Sequence, residues 1–117
     1  MNLSGPAKRM TIFVGEQDRH GGHALSHEIV RRAHASAVAG VTVFRGVEGY
    51  GASSHLHTAH ILSLSDDLPI CIVIVDSAEA IERLAAQLDD LIDGGLVIVD
   101  DVTVLRYVGH DPGEAGA

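Results

Sequence analysis

Apolar residues along this chain recur in two rhythms, one of period two and one of helical period, and their succession outlines the fold. Residues 9–15, Arg-Met-Thr-Ile-Phe-Val-Gly, predict a first strand. Gly21 and Gly22 then break the chain, and Leu25, Ile29, Ala33 and Ala37 follow on one face of a predicted helix. That helix ends before Gly40, and residues 41–48 alternate as a second strand. After a long polar stretch, residues 69–75 are apolar at every position, with Pro69 at the strand start where a missing N–H is tolerated. Such a run predicts a central strand buried on both faces. Asp76-Ser-Ala-Glu79 reads as a capping box, and Ile81, Leu84, Ala85, Leu88, Leu91 and Ile92 form the stripe of a second helix. Gly94 and Gly95 stop that helix, and Leu96-Val-Ile-Val99 opens a last strand. The pattern interrupts this strand at Asp100-Asp101 and resumes it over residues 102–107.

The order is therefore βαββαβ, the split βαβ plan: an α+β, ferredoxin-like sandwich with a four-stranded antiparallel sheet and two helices on one face. Two helices cover only one side of such a sheet. Because residues 70–75, and less strictly 10–14 and 97–99, are apolar on both sides, a lone chain would expose an apolar face, which predicts homo-oligomerisation through it. The predicted single domain spans residues 8–108. The segments 1–7 and 109–117, rich in Gly, Pro and Ala with no apolar period, are expected to be flexible tails.

With 117 residues, 46% of them hydrophobic, the chain suffices for one core and not for two. No stretch reaches the length of a membrane span and the start carries no hydrophobic targeting segment, so a cytoplasmic protein is expected. A formal net charge of −8, two Phe, two Tyr and no Trp argue against a nucleic-acid partner, which needs cationic patches and stacking platforms. The single cysteine, Cys71, lies inside an apolar strand and reads as a buried, inert thiol. Eight histidines are the compositional outlier, since their protonation near pH 6 would cancel much of the net charge.

Chemistry-bearing residues gather after the second strand. Gly46-x-x-Gly49-x-Gly51 permits positive φ angles, so it either shapes the base of a loop or also offers backbone N–H groups to an anion. Neither Gly-Lys-Ser/Thr nor a directly following helix accompanies it, so a P-loop is not supported. His55, His57 and His60 are the candidate metal ligands of that loop, although no cysteine completes a zinc pattern and a solvated polar loop is the simpler reading. His23 and His27, four apart, are expected on one helical face near His20 and Glu28, as surface histidines. Arg45, the lone cation of the second strand, is a candidate to meet an anionic ligand or a carboxylate such as Glu48 across a subunit boundary. Asp100 and Asp101 would suit a hard cation, but adjacent acids on a strand point to opposite faces, and the simpler reading is that they interrupt the pairing. Ser53, Ser54, Ser63 and Ser65 have no recognisable base or orienting acid, and no catalytic set is found.

The order of elements, together with Gly40-Val-Thr-Val, Gly46-Val-Glu-Gly-Tyr-Gly51, Leu68-Pro69, Val75-Asp76 and Gly94-Gly-Leu96, resembles the PII-like superfamily of trimeric signalling proteins, and most closely its DUF190 branch. The resemblance runs from about Lys8 to Tyr107. It implies a non-enzymatic homotrimer that binds a small effector, an adenine nucleotide being the inherited one, in clefts between subunits. The loop of residues 50–67 would then correspond to the T-loop, acting on a partner such as a membrane transporter or channel. Carried over by position, Thr42 matches the threonine near the adenine, Gly49 and Gly51 the loop base, and Gly94 and Gly95 the turn near the phosphates. Arg45 and Arg106 complete the implied ligand-binding set. Two departures stand out. One extra residue separates Thr42 from Gly49, and the lysine after the Gly94-Gly95 turn is missing, so phosphate charge is poorly compensated. No cofactor or metal is required by this reading. The competing readings are a metal- or pH-responsive binding protein using the loop histidines, and an enzyme with its site in an intersubunit cleft.

Overall fold

The computed structural model describes residues 2–51 and 67–109. Strands β1 (Asn2–Gly15), β4 (Val41–Arg45), β5 (Pro69–Asp76) and β6 (Leu96–Val108) form one antiparallel sheet in the order β4-β5-β1-β6. Helix α1 (Leu25–Ala35) links β1 to β4 and helix α2 (Ala78–Leu88) links β5 to β6. A small hairpin, β2 (Arg19–His20) with β3 (His23–Ala24), turns at Gly21 and Gly22, both at positive φ, and delivers the chain into α1. His23 thus lies in β3 rather than on the helix, and the shared helical face expected for His23 and His27 does not form.

Both helices cover one face of the sheet. Met10, Ile12, Ile72 and Ile74 point from the central strands into Ile29 of α1 and Ile81 and Leu84 of α2, and all seven side chains are fully buried. Leu25, Ile29 and Ala33 carry the α1 stripe, while Ala37, expected on the same stripe, lies past the helix end at φ 59°. The helices are also joined by charge. Glu28 is buried beneath both Arg31 (3.0 Å) and Arg32 (3.2 Å), and Arg32 reaches the Gln87 carbonyl (3.0 Å) and Asp90 (3.3 Å). The Arg31 hydrogen bond, supported by Arg32, holds the Glu28 carboxyl below its ordinary range despite burial. Ser77, one residue later than expected, caps α2 by accepting from the Ala80 N–H (3.2 Å). Asp76 is instead buried, taking the Ser77 N–H on one oxygen and the Ala39 N–H (2.8 Å) on the other.

Three strand bounds differ from expectation. β4 stops at Arg45. β6 runs unbroken through Asp100 and Asp101, because β1 places a cation opposite each: Arg9 pairs with Asp100 and Lys8 with Asp101, both at 2.7 Å. β1 begins at Asn2, so residues 2–7, expected as a flexible tail, pair with the end of β6.

Among the described residues, nothing packs over the other sheet face. Matched across the strands, Leu96, Phe13, Cys71 and Phe44 form one row, and Ile98, Thr11, Val73 and Thr42 the next. Phe44 is 56% exposed and Leu96 51%. β5 is therefore buried on its helix face only, and Cys71 is half-buried, with burial raising its thiol pKa. No described helix is long and apolar enough to cross a membrane.

Candidate functional site

The end of β4, the start of β5 and the turn after β1 are knotted together into a rigid loop base. Gly46 N–H donates to the Pro69 carbonyl (2.7 Å), and Glu16 N–H to that of Leu68 (2.8 Å). A side chain at Gly46 has no room, since its Cβ would lie 2.8 Å from Pro69 Cγ. Gly49, at φ 144°, crosses over the same proline. Asp67 caps the turn by accepting from the Gln17 N–H (2.8 Å). Within the chain Arg45 finds a carboxylate here, in a two-pronged pair with Glu16 (2.6 and 3.1 Å). That pair depresses the Glu16 carboxyl, chiefly through the Arg45 hydrogen bond. Among the described residues, none comes within 4 Å of a Cβ at Gly51. The candidate metal ligands His55, His57 and His60 lie outside the described residues, and among the described residues no three His, Cys, Asp or Glu side chains gather as a metal site.

At the other end of the open face lies a cavity of about 310 Å³. Its floor is sheet, with Thr42, Val73 and Val75; one wall is the Ala39-Gly40 turn before β4, and the opposite wall is the β1–β6 end, with Leu3, Val104, Arg106 and Tyr107. The cavity thus combines apolar surface, one hydroxyl, one guanidinium and exposed main chain. Such a lining suits a flat, largely apolar molecule that carries an anionic group. A second cavity of about 190 Å³, between α2 and β6, is lined by Met10, Ala85, Leu88, Asp89, Ile92 and Val97, which leaves it without a cation.

Thr42 and Arg106, far apart in sequence, therefore meet in one cavity. Arg45, Gly49 and Gly51 belong to the loop base, and Gly94 and Gly95 precede β6 at the end of the strand opposite to Arg106. A strand advances about 3.3 Å per residue, so on the order of 30 Å separates that turn from Arg106 within one chain. Sequence reasoning missed Tyr107, whose hydroxyl donates to the Ala39 carbonyl (2.9 Å), and Asp76, which holds the Ala39 N–H. The signal for Asp76 was partial: an acid closing an apolar strand needs donors of its own if it is buried, and the sequence does not say which.

This architecture, a four-stranded antiparallel sheet with two helices on one face in the order βαββαβ, is the fold of the PII-like proteins. The chain belongs to the DUF190 family (Uncharacterized ACR), whose profile matches residues 7–104. It is 32% identical over 101 residues to the UPF0166 protein of Methanocaldococcus jannaschii, an alignment covering 86% of this chain and 93% of that one. Among solved structures it is similar to CPII from Thiomonas intermedia K12 bound to ADP and bicarbonate, with TM-score 0.60, 22% identity, and coverage of 89% and 91% of the two chains. It is likewise similar to a PII-like signalling protein from Thermus thermophilus, with TM-score 0.61, 17% identity, and coverage of 86% and 91%. At these identities the structural likeness establishes the fold.

Proposed function

We propose that this chain is a non-enzymatic PII-like regulator that binds an adenine nucleotide in the Thr42–Arg106 cavity and signals through the loop that follows Gly51. The observation that carries the reading is the meeting of Thr42 and Arg106 in one cleft at the edge of an uncovered apolar face. The base stacks on Val73 and Val75 with Thr42 at its edge, and Arg106 takes an anionic group. The working form is a homotrimer packed through the open sheet face, in which Gly49, Gly51, Gly94 and Gly95 of a neighbouring subunit reach the ligand that they do not reach within one chain. CPII, seen with ADP and bicarbonate, supports this ligand class. With one arginine in the cleft, AMP and ADP are favoured over ATP, whose additional charge has no partner. The partner acted on is a protein of membrane transport, a transporter or channel, met on the cytoplasmic side.

Isothermal titration of the purified protein with AMP, ADP and ATP tests the reading. Binding by the wild type, lost or weakened at least tenfold in Arg106→Ala and Thr42→Val, is the expected result. Binding that both variants retain at full strength would move the site elsewhere, and steady conversion of the nucleotide would replace the regulator with an enzyme.

A further inference from the structure

Past Lys8 and Asp76, the last residues that β1 and β5 share, β1 and β6 continue alone as a two-stranded ribbon, residues 2–7 against 102–108. Two features aim that ribbon. Gly5 sits at φ 85° where the pairing register shifts between Leu3 and Gly5, an irregularity of the kind that bends and twists a strand pair. Near the ribbon's end, the Tyr107 hydroxyl donates to the Ala39 carbonyl (2.9 Å). That carbonyl is itself fixed, because the Ala39 N–H is held at 2.8 Å by the buried Asp76 carboxylate. One contact between a tyrosine and a pinned carbonyl therefore joins the ribbon to the turn before β4. The cavity lies between the two parts so joined: Leu3, Val104 and Arg106 come from the ribbon, and Thr42 and Val73 from the sheet.

We propose that the ribbon is a strap across the effector cleft, latched by Tyr107 on Ala39, and that docking of the strap is coupled to occupancy of the cleft. The proposal rests on the reading of this cavity as the nucleotide site. A two-stranded ribbon without a third strand is marginal on its own, so its docked position depends on few contacts and a ligand can bias it. When the strap leaves, the cleft loses a wall and its guanidinium together. A nucleotide touching both walls binds the docked arrangement better, and by reciprocity the latch strengthens the nucleotide. Tyr107 is in this sense a positioning residue: it fixes where Arg106 stands without itself meeting the ligand's charge. The ring is half-buried, so the hydroxyl alone is removed in the test.

The experiment is hydrogen–deuterium exchange of the full-length wild type and Tyr107→Phe, each with and without saturating ADP, alongside calorimetry of ADP binding. In the absence of nucleotide, Tyr107→Phe is expected to speed exchange in residues 2–7 and 102–108 about fivefold to tenfold, the effect of one net hydrogen bond, with β5 unchanged. ADP is expected to slow the same segments in the wild type and to bind the variant more weakly by a similar factor. Ribbon exchange that is the same in wild type and variant overturns the latch, whatever the nucleotide does. ADP that binds the wild type without slowing the ribbon overturns the coupling. Failure of ADP, AMP and ATP to bind at all overturns the reading of the cavity and the coupling with it, while the latch is still decided by the ligand-free comparison.

Discussion

Gly46 owes its identity to Pro69. The main chain of Gly46 donates to the Pro69 carbonyl at 2.7 Å, and a methyl group there would press to 2.8 Å from the proline ring and 3.1 Å from the carbonyl oxygen. Neither atom yields easily, one being backbone and the other part of a ring. Gly46→Ala is therefore expected to destabilise the fold by about 1–3 kcal/mol, the range for an overpacked site, whereas Gly51→Ala, with no described residue near it, should stay within about 0.5 kcal/mol. Urea denaturation of the two variants makes the comparison. Equal losses would mean that the loop base is not the close-packed knot described. Glu28 offers a test in pH. Its carboxyl is held below the ordinary 4.5 by Arg31 first and Arg32 next. On acidification the unfolded chain takes up the proton before the folded one does, so the stability contributed is complete at neutral pH and disappears as the pH falls below about that value. The difference in denaturation midpoint between wild type and Glu28→Gln should accordingly be largest near pH 7 and shrink toward pH 3. A constant difference would assign the loss to packing alone.

Helix α2 shows how local patterns fix an element while leaving its ends open. Its apolar stripe appears in the sequence without ambiguity, yet the cap falls on Ser77, because Asp76 is drawn inward to hold the Ala39 N–H. Ser77→Ala should cost about 1 kcal/mol, as for other lost N-caps, measurable as a lowered thermal midpoint; no change would leave the Ala80 N–H to solvent without consequence. The same limit governs β6. Two adjacent aspartates interrupt its apolar run, and only the opposing strand, with Lys8 and Arg9 in register, explains why the strand continues. Periodicity describes one segment at a time and is blind to the partner across the ladder. Residues 2–7 were illegible for that reason, since Gly5 and Pro6 read as a loop until residues 102–108 supply their pairing. The strands and helices of the core were legible because each carries its own rhythm. The cleft was not: Thr42 and Arg106 came only through the family resemblance, and the Tyr107–Ala39 contact spans 68 positions, a distance over which no local pattern speaks.

For the whole molecule, the decisive quantity is the sheet face that no described residue covers. Phe13, Phe44, Leu96 and Ile98 share it, and Ile98 alone is 43% exposed in a single chain. Contiguous apolar area of this kind marks an association surface, and the ion pair of Arg9 with Asp100 borders it toward the cleft. A homotrimer built through this face would run in light scattering at about three times the 12.3 kDa of one chain. Ile98→Asp separates the folding of the subunit from its assembly. The residue contributes little to the helix-facing core, so the variant should keep the wild-type far-UV circular dichroism while its mass falls to that of one chain. Burying three carboxylates against apolar neighbours around an axis would otherwise cost more than the contacts return. A variant that remains trimeric would place the interface elsewhere, and a wild type with the mass of one chain at micromolar concentration would refute the trimer itself. Nucleotide binding then follows the same division: if Gly94 and Gly95 of a neighbour complete the cleft, the monomeric variant should bind ADP at least tenfold more weakly although its own Thr42 and Arg106 are untouched. Unchanged affinity would make the cleft a property of the single chain.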